Sequence, residues 1–188
     1  MRRLLILTTL PLALAACDSG TTVTATNASM TEVAEAARGA VKLEPGKWRH
    51  TVSFVSADAP GLPAGMAEMM TKQMSAASNS SNESCVTPEM ANKPSGEMFG
   101  GTDKGQCRYE TFEMGGGRID AVMLCKTPGE NAGEVRMAMA GTFTGSRFDT
   151  TSEMKMNIPG ATPQGTPMTI KTRMVGERIG ACDAPKAG

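Results

Sequence analysis

The 188-residue chain is poor in aromatic rings, in histidine and in net charge: it has one Trp, one Tyr, five Phe and one His, and 19 Lys+Arg balance 19 Asp+Glu. The balance argues against nucleic-acid binding, which normally needs a basic excess. No Gly-x-Ser-x-Gly, His-Glu-x-x-His or phosphate-binding loop occurs. With a single His, the convergent set of acids, bases and nucleophiles that an enzyme needs is thin, so the chain is expected to be no enzyme and no catalytic residue is assigned. Every apolar run is shorter than the roughly 20 residues that span a bilayer. There is no Cys-x-x-Cys pair, and the lone His50 is far from every cysteine, which gives a zinc or thioredoxin-like site little support.

What is present is a globular composition, 40% hydrophobic and 20% charged, with 16 Met, 21 Gly and five Cys. The length suits one domain with a sizeable core. Residues 1–16 hold Arg2-Arg3, an apolar run from position 4 to 14, then Ala15-Ala16 before Cys17. Charged, apolar and small-residue regions in that order form a secretory signal. Leu14-Ala15-Ala16-Cys17 resembles the lipobox of bacterial lipoproteins, so Cys17 is expected to receive diacylglycerol and, after cleavage, an N-acyl chain. Several acyl chains bury enough methylenes for a lasting membrane anchor. Loss of residues 1–16 removes two arginines and no acid, so the mature chain is not basic enough to bind a membrane surface without its lipid. The expected location is the bacterial cell envelope, periplasm-facing. Asp18 resembles an inner-membrane retention signal of enteric lipoproteins, and the choice between inner and outer membrane stays open. Residues 17–28, rich in Ser, Thr, Gly, Ala and Asn, are expected to form the lipidated Cys and a flexible tether.

The remaining cysteines, Cys85, Cys107, Cys125 and Cys182, are even in number and read as two structural disulfides in an oxidising compartment. Cys107 and Cys125 lie symmetrically about Gly116, so a hairpin there would pair them and leave Cys85 to Cys182. Cys85 with Cys107 and Cys125 with Cys182 is the alternative.

Ser29-Met30-Thr31-Glu32 has the form of a capping box, and Val33, Ala36, Ala37, Ala40 and Val41 follow on one helix face, so residues 29–42 are expected to form a short helix. After the Pro45-Gly46 turn, Trp48, His50, Val52 and Phe54 alternate with polar residues as in a half-buried strand. Residues 64–77 carry Met66, Met69, Met70 and Met74 at helical spacing. Residues 78–84 read as loop or edge strand, and Thr87-Pro88 caps a turn of helix; residues 92–105 read as loop. Segments 107–114, 118–126, 134–144, 147–158 and 168–175 alternate as strands separated by short turns, which predicts an antiparallel meander. Val135, Met137, Met139 and Phe143 share a face with Phe148, Met154, Met156 and Ile158 and with Met168, Ile170 and Met174. That face must be covered, by closing into a barrel, by a second sheet, or by the helix holding Met66 and Met74 as a roof. The fold class is therefore mainly β with minor α: a disulfide-stapled antiparallel meander, as a curved sheet or small barrel, with one or two short helices. The β domain is expected at 43–182, with a tail at 183–188.

Pro45-Gly46-Lys47-Trp48, Cys85-x-Thr87-Pro88-Glu89, Cys107-Arg108-Tyr109, Cys125 and Arg178-Ile179-Gly180-Ala181-Cys182, in that order, resemble the bacterial envelope family catalogued as domain of unknown function 3617. The resemblance covers 43–182 and implies an exported, mostly β domain; it implies no catalytic residue. Ala181 stands where a polar residue is common in that family.

His50, in phase with Trp48 and Val52, reads as a half-buried structural histidine, and the three glycines at 115–117 as a hairpin turn. Methionine is the one excess that bears on function. Met is an adaptable filler for a core poor in aromatics, or lines a surface that accepts varied apolar shapes. The expected role is that of a structural or partner-binding envelope lipoprotein, which has the membrane as a partner through its lipid and takes an envelope protein as a second. The first alternative is a pocket for a lipid or other hydrophobic molecule lined by Met137, Met139, Met154, Met156, Met168 and Met174. The second is Cu(I) held by thioether sulfurs of Met66, Met69, Met70 and Met74; otherwise no cofactor is expected.

Overall fold

The structure is a computed structural model, which describes residues 21–38, 40, 42–92, 106–126, 133–158 and 165–183. Its elements are β1 (Val23–Ser29), α1 (Met30–Ala36), β2 (Gly46–Asp58), α2 (Ala64–Ser78), β3 (Ser80–Val86), α3 (Pro88–Asn92), β4 (Cys107–Gly115), β5 (Arg118–Lys126), β6 (Glu134–Phe143), β7 (Arg147–Ile158) and β8 (Thr166–Gly180). All eight strands lie in one antiparallel sheet of order β1-β4-β5-β6-β7-β8-β2-β3. The sheet is open, with β1 and β3 as its edges, so it does not close into a barrel.

Strands β4 to β8 form the expected meander, because each hairpin pairs a strand with the next one along. At the β4–β5 turn Gly116 and Gly117 adopt φ values of 56° and 74°, the left-handed region that side chains disfavour. The long-range pairings close the sheet's two flanks: β2 against β8, β3 against β2, and β1 against β4.

Three expectations are corrected and a fourth is narrowed. Residues 23–28 are strand, not tether: Val23 pairs with Met114 and Ala25 with Phe112, and Val23, Ala25 and Ala28 pack against the core. Small and hydroxyl side chains hide the alternation, and only the β4 edge gives these backbone groups their partners. The folded unit thus begins at β1, twenty residues before position 43. Next, α1 stops at Ala36 with Ala37 as its C-cap, and the following bonds tighten to i→i+3 spacing, Arg38 N to Glu35 O and Ala40 N to Ala37 O. Third, β8 runs on past 175 to Gly180 through Gly176, where a Cβ would collide with the Phe148 ring. Gly176 is a place for an aromatic ring against the backbone and not a strand end. Fourth, of the covers expected for the apolar face, α2 forms at the expected place and packs on the sheet at β2.

The ends of the short elements follow local chemistry. Ser29 Oγ accepts from Glu32 N at 3.2 Å while Glu32 Oε2 accepts from Ser29 N at 2.7 Å, so the capping box is complete. Met90 N donates to Thr87 Oγ1 at 3.2 Å, capping α3 with Pro88 at its first position. Disulfides join Cys107 to Cys125, directly opposite across the β4–β5 hairpin, and Cys85 to Cys182, tying edge strand β3 to the end of β8.

The core lies over β1, β4 and β5. Met30, Val33 and Ala37 of the α1 segment cover Tyr109, Phe112, Met114, Ile119, Ala121 and Met123, and the cluster continues through Leu43 to Trp48 on β2. Each large apolar side chain buried this fully contributes about 1.5–3 kcal/mol relative to exposure. Trp48 also satisfies its indole, donating from Nε1 to Glu44 O at 3.0 Å.

Candidate functional site

Antiparallel register places all six methionines of the expected lining on one face of the sheet. Met123, Met137, Met154 and Ile170 form a row across β5, β6, β7 and β8; Met156 faces Met168; Met174 lies between Thr150 and Val52. Met168 is buried, and Met137, Met139, Met154, Met156 and Met174 are half-buried. A row between them runs Met139, Ser152, Thr172, Phe54. Hydroxyls thus break the apolar surface at its middle, and buried Thr150 donates from Oγ1 to Met174 O at 3.5 Å. Thr150, Ser152 and Thr172 share this face with the methionines, and sequence reasoning passed over them. Their signal was parity alone: each stands an even number of residues from a methionine of its own strand.

At the β2 side of this face His50 sits in a ring cluster, its centroid 6.4 Å from Trp48 and 5.8 Å from Phe148. Its Nε2 lies 3.0 Å from Ser84 Oγ, and burial pushes its pKa below the ordinary histidine value. The geometry is that of a packed, hydrogen-bonded ring, as its phase in the strand indicated. Tyr109, deep under α1, has its phenol pushed up to about 12 by burial.

The methionines of α2 are divided between environments. Met66 and Met69 are 51% and 57% exposed, whereas Met70 and Met74 are half-buried. The helix thus leaves two of these thioethers largely in solvent and holds the other two half-buried. Cys85, Cys107, Cys125 and Cys182 are all in disulfides. Cys17 and the whole segment 1–20 lie outside the described residues, as do 93–105, 127–132, 159–164 and 184–188, which hold much of the expected loops and tail.

The opposite face is charged, and its ions pair both along and across strands. Arg173 Nε donates to Asp149 Oδ1 at 2.8 Å, Lys171 and Lys155 both reach Glu153 at 2.9 Å, and Arg49 bridges Glu83 and Glu177. The two lysines hold the Glu153 carboxyl down to about 2, and Arg173 with Arg147 lowers that of Asp149. A hollow of about 420 Å³ opens near the β4–β5 turn, lined by Glu113, Arg118, Asp120 and Thr142 over Ala140 and Gly141. It is separate from the methionine face.

Residues 43–182 match the family described as Protein of unknown function (DUF3617). No curated protein matches the chain, and no solved structure matches it.

Proposed function

The chain belongs to the family described as Protein of unknown function (DUF3617), and we propose, from the lipobox-like Leu14-Ala15-Ala16-Cys17 and the methionine face, that it is a periplasm-facing lipoprotein of the bacterial envelope, anchored through Cys17, whose domain binds an envelope protein and performs no chemistry of its own. The observation that carries the reading is the state of the methionine face. Over β6, β7, β8 and β2 the side chains of Met137, Met154, Met174, Val52 and Phe54 are half-buried on one face, in and on either side of the Ser152–Thr172 row, whereas α1 covers β1 and β4. An apolar surface of flexible thioethers adapts to varied partner shapes. The four described cysteines are committed to disulfides and His50 to its ring cluster, which supports binding over catalysis. A second reading, capture of a lipid or other hydrophobic molecule, is favoured by one feature: Thr150, Ser152 and Thr172 place hydroxyls in the middle of the face, where an amphipathic molecule would need them.

The test is photo-crosslinking in intact cells from position 154, with position 151 on the charged face as control. A protein joined from 154 and not from 151 is the expected result. A co-purifying apolar mass in native mass spectrometry would favour the second reading, and neither outcome would end both. For the anchor, Cys17→Ser should release the protein from membranes; a variant that still sediments with them would overturn the lipoprotein assignment.

A further inference from the structure

We infer that one end of the sheet is a membrane-contacting surface: the β4–β5 turn, the β6–β7 turn and the adjoining segment 42–45 rest on the bilayer headgroups, with Arg118 and Lys42 at the lipid phosphates. This rests on the acylation of Cys17 proposed above.

The folded part begins close behind the acylated residue. Val23 is already paired with Met114, and a Cβ at Gly115 would lie 2.8 Å from the Thr22 Cα, so Thr22 sits against the β4–β5 turn. Five residue steps separate Cys17 from Thr22, a reach of roughly 18 Å even when fully extended. A tether that short keeps this end at the headgroup layer and leaves the domain little freedom to stand off.

The end is one connected surface. Phe143 N donates to Gly117 O at 2.8 Å, Glu44 N to Gly145 O at 2.7 Å and Arg178 N to Ser146 O at 2.9 Å, which bind the two turns, the segment before β2 and the last residues of β8 to one another. Its acids are engaged: Glu177 pairs with Arg49 and Arg147, and Glu44 lies 3.9 Å from Arg178. Two exposed cations are left over. Arg118 flanks the β4–β5 turn and the Lys42 carbonyl lies against Gly145, and neither carries an ion pair among the described residues. Glu113 and Asp120, which line the same hollow as Arg118, stand two rows farther up the hairpin. Unpaired cations at the tethered end suit phosphate headgroups.

The opposite end points away. Asp58, just before α2, pairs with Thr169, eleven residues up β8 from Gly180, or about 36 Å at strand rise. Exposed Met66 and Met69, in the first turns of α2, therefore face outward from the membrane.

The test uses the full lipidated chain in vesicles of phosphatidylethanolamine and phosphatidylglycerol doped with headgroup-nitroxide lipid. A coumarin amino acid is placed at position 146 or at position 69. Ser146 is the stringent site, because its turn lies four strands from the tethered β1, so the tether alone does not bring it down. Quenching at 146 at least about threefold that at 69 is expected, and Arg118→Ser with Lys42→Ser should reduce that ratio at least about twofold. Equal quenching, or more at 69, overturns the orientation; a ratio unmoved by the double variant overturns the role of the cations. Protein that does not float with the vesicles overturns acylation and the inference with it, whereas attached protein with equal quenching overturns the inference alone.

Discussion

Along one face of one sheet, Met114 and Met123 on β4 and β5 are 2% and 4% exposed, while Met137, Met154 and Met174 on β6, β7 and β8 remain half-buried. The residue type, the alternation and the register are alike on both sides. What differs is the neighbour. Over β4 lies α1, whose capping box fixes its start beside β1 and whose Val33 is completely buried. On the other side α2, with twice the length, packs on β2 and leaves two of its own methionines in solvent. Alternation therefore decides which face is apolar, and the docking of a helix decides whether that face becomes core or surface.

The comparison can be broken most forcefully at the disulfides. In the loop-entropy description, the Cys85–Cys182 bond, 97 residues apart, contributes about 4–5 kcal/mol and the Cys107–Cys125 bond, 18 apart, about 3 kcal/mol. Paired Cys→Ala variants compared by urea denaturation should show the larger loss for Cys85 and Cys182, although the hairpin bond is the one under the dense half. The reverse order would mean that the covered half dominates the stability of the whole.

Methionine truncation sharpens the contrast at constant chemistry. Met123→Ala should cost about 2–5 kcal/mol, as for a filled core site, and Met154→Ala about 1 kcal/mol, since water already reaches it. Equal losses would show that the β6–β8 face is packed as tightly as the rest. Ser29→Ala, which removes the cap holding α1 over the core, should cost about 1 kcal/mol; its effect should be smaller in a Met123→Ala background if the two act through the same contacts.

The smallest effects are in pH. His50 binds its proton more readily in the unfolded chain, because burial lowers its folded pKa; stability should fall as pH drops below about 6.5. Glu153 and Asp149 have lowered folded values, Glu153 at about 2. Their contribution is complete above the ordinary carboxylate range and is lost as pH falls through it toward 2. Melting temperature against pH should lose its upper slope in His50→Gln and part of its lower slope in Glu153→Gln. An unchanged profile in either variant would mean that the group does not sense folding.

Local pattern carried much of this. Period-two alternation from Cys107 to Ile158 placed four strands nearly to the residue, and short turns made their register, hence the shared methionine face, readable in advance. Where the pattern was silent the partner was distant. β1 is built of Thr, Ala, Asn and Ser and is strand only because β4, about eighty residues later, supplies its hydrogen bonds. The seating of β2 between β8 and β3, and the choice of α2 to lie on β2, are likewise tertiary decisions that no window of sequence contains. So the sharing of one face by the methionines was legible, while their half-buried state was not.

The two disulfides are nested, one pair of cysteines enclosing the other in sequence. In any chain made from its N-terminus Cys85 and then Cys107 appear before Cys125, so thiols joined in order of appearance would form the wrong bond. Hairpin β4–β5 offers the remedy, since Cys107 finds Cys125 locally as soon as the turn closes, but Cys85 must wait for the last strand. The connectivity thus makes the outer bond wait for the end of β8, and a chain that stops short of Cys182 leaves the Cys85 thiol without its partner.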